Sequence, residues 1–251
     1  MKRIIEYFDR AYIINLEDRL DRREEVIQEF GQLGINVPNQ NVRFYTAKRL
    51  TEKGLFPDVG TRGNFTSHRN VLRLASQDGL RNVLVFEDDV SFRDCTASLE
   101  DQIVTQLARN AWDIVYFGYL LPSDTGLEGG PLVDFPKEIV GAHFYAVNCD
   151  FINPLLQFMD QCEVRPAGHP DGGPMTADGA LNHIRFLIPD MRVLLAVPSL
   201  AHQRSSRTDI HPTRIFDRTV ILRPLIRRAR AIKHKLRMAV ERSRLRRRSR
   251  V

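Results

Sequence analysis

The run Asn82-Val83-Leu84-Val85-Phe86-Glu87-Asp88-Asp89-Val90 constrains this chain more than any other. Four apolar residues, two of them valine, pass directly into three carboxylates. An apolar run this short, bounded by polar turn chemistry, reads as a strand buried on both faces, as inside a parallel sheet. Three adjacent acids repel one another strongly without a partner. A hard divalent cation is the natural partner, and ligands of open α/β sheets sit at the carboxyl ends of strands. The alternative is a solvated acidic turn, and the rest of the chain has to decide.

Strand-like and helix-like stretches alternate on either side of this run. Ala11 to Leu16 is apolar and rich in β-formers, and a polar turn follows it. Leu20, Val26-Ile27, Phe30 and Leu33 then recur at helical spacing up to Gly34. Arg19, Arg22 and Arg23 lie near that turn, where they either reach a pyrophosphate or pair with Glu25 and Glu29 on the helix surface. Val42 to Ala47 suits a second strand, and residues 48–62 read as loop. A helix is expected from Asn64 or Thr66 to Ser76, with Ser67 and His68 near its start. There they serve either as phosphate or ribose contacts or as a capping pair.

Further elements are expected as a helix over 97–109, a buried strand over 112–118, and one bent or two short strands over 139–147. A helix running to about Cys162, another opening near Asp178 and a last strand over 192–197 complete the pattern. Residues 122–137 and 166–175, rich in Gly and Pro, read as loops able to close over a ligand. Such alternation over some 200 residues predicts a mainly parallel α/β sheet flanked by helices.

Charge divides the chain. From Arg214 onward there are 15 Lys and Arg against 2 acids, whereas residues 1–213 carry 22 basic and 29 acidic residues. The expected organisation is therefore a catalytic domain over 1–213 and a basic tail over 214–251. In the tail, Ile221-Leu222, Leu225-Ile226, Ala229, Ile232, Leu236 and Ala239-Val240 recur every three or four residues with Arg and Lys between them. This predicts a basic amphipathic helix, which either lies on an anionic membrane surface or packs on the domain. Nucleic acid is a weaker partner for it, since it carries no stacking aromatic beyond Phe216. The opening residues are mixed and charged and do not read as a secretory signal. Cys95, Cys149 and Cys162 are odd in number and lack metal-ligand spacing. The expected location is cytoplasmic, with the tail peripheral on the inner face of the membrane.

Several blocks taken together resemble glycosyltransferase family 25. They are Tyr12-Ile13-Ile14-Asn15-Leu16 with Asp21-Arg22-Arg23, Gly63-Asn64-Phe65-Thr66-Ser67-His68, Phe86-Glu87-Asp88-Asp89-Val90, and the helix start at Asp178. The resemblance covers about residues 10–210. It implies a GT-A-like fold, a UDP-sugar donor (often UDP-galactose), a glycan or glycolipid acceptor such as lipopolysaccharide, and transfer with inversion. It also implies that Glu87-Asp88-Asp89 is the acidic metal-binding motif, that Asn15 and Arg22 serve the nucleotide end, and that Asp178 is the acceptor-side acid. Leu16, Arg19, Ser67, His68, Asp88 and Gln203 complete the expected donor contacts.

For the metal, manganese or magnesium, Glu87 and Asp89 are expected to face the same way along an extended segment, with His202 completing the shell or touching the diphosphate. Asp178, with Asp171 as second choice, is the expected base for the acceptor hydroxyl. Two rival readings use the same residues: a metal-dependent nucleotidyl- or phosphotransferase, and a non-catalytic adaptor bound to membrane or nucleic acid through the tail.

Overall fold

A computed structural model describes residues 1–120 and 130–204. The amphipathic tail and the first part of the 122–137 loop lie outside the described residues. The elements run α1 (Lys2–Tyr7), β1 (Arg10–Leu16), α2 (Leu20–Gln32), β2 (Val42–Ala47), α3 (Val59–Gln77), β3 (Asn82–Glu87), β4 (Val90–Phe92) and α4 (Ala97–Arg109). They continue with β5 (Ile114–Gly118), β6 (Leu132–Asp134), β7 (Phe144–Asn148), α5 (Cys149–Val164), α6 (Ala177–Leu187), β8 (Val193–Ala196) and β9 (Ala201–Gln203).

One sheet carries the path β2-β1-β3-β7-β5-β8-β6. β1 is parallel to both β2 and β3, and β5 is parallel to β8. β7 runs antiparallel between β3 and β5, and β6 closes the far edge antiparallel to β8. The expected α/β class with a mainly parallel sheet and flanking helices is what the chain adopts. β3 justifies the opening inference, because Val83 to Phe86 are wholly buried and strands flank it on both sides.

The two faces of the sheet bury different helices. α3, α5 and α6 cover one face, where Phe65, Leu72, Leu155 and Leu181 meet Val85, Tyr116 and Tyr145. α1, α2 and α4 cover the other, where Ile4, Phe30 and Ile103 meet Phe86, Phe117 and Phe144. Burial of apolar surface on both faces supplies the main stabilisation, at roughly 25 cal/mol per Å² removed from water. Among the described residues, no helix is long and apolar enough to cross a membrane.

The structure departs from the expected elements in several places, among them α1 and the 139–147 stretch, where the strand begins only at Phe144. α3 begins at Val59, where Asp58 caps the backbone N–H of Thr61 at 2.7 Å, so part of the expected loop is helix. β4, β6 and β9 were not expected; each is three residues long, too short for a period-two pattern to register. Residues 192–197 therefore do not form the last strand, and β9 follows to pair with β4 and β5. Within the expected lid, residues 132–134 are hydrogen-bonded sheet. In the second expected lid, the Arg165 side chain donates to the Asp171 carbonyl at 2.6 Å, and Gly172 N donates to His169 O.

Candidate functional site

The acidic triplet does not continue β3 as an extended chain. β3 ends at Glu87, Asp88 and Asp89 form a turn, and β4 starts at Val90. The turn removes the alternation that was to point Glu87 and Asp89 the same way, and each of the three carboxylates has its own surroundings.

Glu87 is surrounded by donors. Its Oε1 accepts from Asn64 Nδ2 at 3.1 Å and lies 3.2 Å from His68 Nε2, and its Oε2 accepts from Gln203 Nε2 at 2.7 Å. Burial alone would raise its pKa, but the bond from His68 and the charges and donors around it hold the carboxyl below its ordinary value. An ionised Glu87 only accepts, so His68 carries its proton on Nε2. Its other nitrogen, Nδ1, lies 2.9 Å from the Tyr145 hydroxyl.

Asp88 is buried and turned toward the start of the fold. Asn15 Nδ2 donates to its Oδ2 at 2.8 Å, and Arg22 Nη1 donates to its Oδ1 at 2.8 Å. Burial still pushes its carboxyl above the ordinary value against the pull of Arg22 and Asn15. Asp89 is the least satisfied of the three. Its Oδ2 lies 3.7 Å from Arg22, and its buried Oδ1 has no partner among the described residues. Burial, then the charge of Glu87, raise its pKa to about 7.

Two arginines hold this turn. Arg22 comes from the first turn of α2, and Arg204 comes from just beyond β9. Arg204 donates from its backbone N to Asp89 O and from Nη2 to Asp88 O, both at 2.7 Å. Glu25 and Glu29 of α2 lie 3.6 Å from its guanidinium. The expected partner of the acids was a cation; among the described residues the Arg22 guanidinium pairs with the Asp88 and Asp89 carboxylates, while that of Arg204 holds the Asp88 backbone carbonyl and pairs with Glu25 and Glu29.

The turn forms one end of a cleft of about 320 Å³ at the carboxyl ends of β1, β2 and β3. Ile14, Leu16, Ala47, Leu50 and Val59 supply its apolar lining, while Lys48 and Arg49 bring basic groups to it. Of the residues expected from sequence, Leu16, Arg22, Ser67, Glu87, Asp88, Asp89 and Gln203 line this cleft. Asn15 and His68 stand behind it as buried supports.

The structure places the other expected residues as follows. Arg19 turns to Asp21 in a two-point ion pair at 2.8 Å, which holds the Asp21 carboxyl at about 2. Ser67 and His68 lie in the interior of α3, so no free helix-start N–H groups surround them, and Ser67 Oγ donates to Gly63 O at 2.7 Å. His202 is exposed and adjacent to Gln203, which faces Glu87, and successive strand residues point to opposite faces. Among the described residues, no group of three His, Cys, Asp or Glu converges as a metal cluster, so Glu87, Asp89 and His202 do not form the expected triad. Asp178 lies at the start of α6 outside the cleft lining, where its Oδ2 accepts from Gly141 N at 3.2 Å. Asp171 is exposed.

Asn64, Tyr145 and Arg204 had no assigned role from sequence. Asn64 joins the acid turn to α6: its Nδ2 serves Glu87, while its Oδ1 accepts from Ala177 N at 3.1 Å. A polar residue next to an inward-facing helix position is the only sequence signal it offers. Tyr145, inside an apolar strand, offers less.

The fold and the acid turn define an α/β domain with an acidic turn at the carboxyl end of a central strand. No protein-family model matches the chain. In sequence it is similar to glycosyltransferase 25 family members. One from Drosophila melanogaster is 32% identical over 128 residues, which are 44% of this chain and 21% of that protein. Procollagen galactosyltransferase 1-A of Xenopus laevis is 29% identical over 132 residues, covering 44% and 21%. A human relative, named inactive glycosyltransferase 25 family member 3, is 26% identical over 145 residues, covering 49% and 24%. The chain thus matches about a fifth of the length of these curated relatives.

Among solved structures, a glycosyltransferase involved in the glycosylation of the major capsid of PBCV-1 aligns with a TM-score of 0.45 at 10% identity, over 79% of this chain and 95% of that one. UDP-glucose pyrophosphorylase complexed with UDP-glucose aligns with a TM-score of 0.43 at 10% identity, over 78% and 75%.

Proposed function

We propose that this protein is an inverting glycosyltransferase that moves a sugar, galactose being the first candidate, from a UDP-sugar to a hydroxyl of a glycan or glycolipid acceptor. The observation that carries this reading is the acid turn at the carboxyl end of β3, lining a cleft with one carboxylate oxygen of Asp89 left unmatched. The relatives named glycosyltransferase 25 family members and procollagen galactosyltransferase support the same class.

The donor set fits a hard divalent cation in a specific way. Of the three carboxylates only those of Asp88 and Asp89 have a guanidinium, that of Arg22, within ion-pair distance, and Asp89 Oδ1 is buried with no hydrogen-bond partner among the described residues. Glu87 already accepts at both oxygens, so Asp89 would hold manganese or magnesium together with the donor phosphates. When bound, the ion stabilises the charge that builds on the leaving diphosphate.

The protein's own residues supply the remainder. Ile14, Leu16 and Ala47 offer an apolar bed for the nucleoside. Asn15, Arg22 and Arg204 fix the turn so that Asp89 does not reorganise during reaction. The acceptor oxygen bonds to the anomeric carbon as the bond to the diphosphate breaks. We assign its proton to Asp178, which lies beyond the cleft lining at the start of α6 and whose carboxylate is held by backbone N–H groups alone and keeps lone pairs open for an acceptor that reaches it. Asn64 ties this helix start to Glu87.

The test is a screen of UDP-sugars with manganese, following release of UDP and transfer to a glycan acceptor, on the wild type and on Asp89→Asn. Metal-dependent turnover that Asp89→Asn abolishes supports the reading. Near-normal turnover by the variant removes the metal assignment. UDP binding without any turnover would favour a non-catalytic role, as the name of the human relative suggests for that protein. Tail-mediated attachment to the inner face of the membrane is part of the same proposal, because it would bring the enzyme to a lipid-linked acceptor.

A further inference from the structure

Gly63 sits in the interior of α3, a helix of 19 residues. Glycine weakens a helix interior relative to alanine, because it gives up more backbone freedom on folding. A fold tolerates that where φ is positive or where a neighbour leaves no room for a side chain. Neither applies here. Gly63 is not among the glycines with positive φ, and a Cβ at this position meets nothing within 4 Å among the described residues. Gly118 shows the contrast, since a Cβ there would stand 2.6 Å from His143 Nε2.

Gly63 does line the cleft, one residue before Asn64, which bonds Glu87. The missing side chain leaves room in the cleft wall that nothing in the described protein uses. The same cleft has the apolar residues Ile14, Leu16 and Ala47 and ends at Asp89. A planar nucleoside suits the apolar part, and its diphosphate suits the end at Asp89.

We propose that Gly63 is a binding contact, at which the nucleoside of a nucleoside diphosphate lies against the backbone of α3. This rests on the reading of the cleft as the donor site. A side chain at 63 then competes with the ligand for space while leaving the folded protein intact.

The experiment uses UDP with manganese as probe, titrated calorimetrically into the full-length wild type, Gly63→Ala, Gly63→Leu and Gly31→Ala. Gly31 is the matched control, a helical glycine of α2 on the exposed side whose Cβ also meets nothing within 4 Å. Without ligand, all three variants keep or raise Tm, by about 1–3 °C for the alanine substitutions. Gly63→Leu raises the Kd for UDP at least about tenfold and Gly63→Ala raises it by less, while Gly31→Ala leaves it unchanged. UDP binding by Gly63→Leu within about twofold of wild type overturns the Gly63 proposal and leaves the donor reading standing. Should Gly63→Leu fail to fold, an unchanged Kd in Gly63→Ala overturns it equally. A wild type that does not bind UDP overturns both.

Discussion

The Tyr145 hydroxyl stands 2.9 Å from Nδ1 of His68, and the opposite nitrogen of that ring stands 3.2 Å from Glu87. Both rings are buried, so this line fixes the direction of the carboxylate from inside the sheet. Tyr145→Phe leaves a buried imidazole nitrogen unpaired, at an expected cost of about 1–3 kcal/mol. Urea unfolding measures it. Activity should fall as well, with the loss concentrated in kcat if Glu87 positions groups rather than binding the donor.

Asp89→Asn is expected to separate stability from function. A buried carboxylate with one unmatched oxygen and a pKa raised to about 7 disfavours the folded state once it ionises. A raised folded-state pKa contributes stability that is fully present below the ordinary value of 3.8 and lost as pH rises through about 7. In chelator, the Tm of the wild type should therefore drop relative to Asp89→Asn between pH 5 and pH 8. At pH 8 the variant should be the more stable by at least about 1 kcal/mol. Parallel Tm profiles for the two proteins would contradict this, while transfer by the variant should be lost throughout.

Removing Arg22 should be costly and removing its partner with it much less so. Arg22→Met leaves Asp88 buried without its guanidinium, and truncating one member of a buried pair costs about 3–5 kcal/mol. In the Arg22→Met/Asp88→Asn double variant the uncompensated charge is gone. A thermal or urea double-mutant cycle reads the coupling, expected at about 1–3 kcal/mol, and additive single losses would argue against the pair.

The basic tail over 214–251 should bind anionic lipid. Full-length protein is expected to sediment with vesicles containing phosphatidylserine at low salt and to be released as salt rises, whereas neutral vesicles leave it in solution. Retention that is the same with and without residues 214–251 would eliminate the surface role.

Much of the fold follows from local pattern. The boundaries of β2 and α4 coincide with those read from periodicity and turn residues, because each spans enough positions to show its period. The buried strand ending in acids was legible for a related reason, since an apolar run meeting carboxylates leaves few physical options. Three-residue strands carry no such pattern. β4 and β9 exist because each pairs with the other across more than a hundred positions of chain, and only tertiary contact supplies that partner.

The site divides in the same way. Sequence alone determined that Glu87, Asp88 and Asp89 would need counter-charge, and which arginines stood near the first turn. It did not determine that Arg22 reaches Asp88 while Arg19 turns to Asp21 and Arg23 lies over the ring of Phe44. Those three differ by helical angle and by what packs beside them, quantities that exist only once α2 is seated on the sheet. Nor did it determine that Glu87 would be saturated by Asn64, His68 and Gln203, leaving Asp89 with the open oxygen. The charge was written in the chain, and the choice among its three carriers was made by burial.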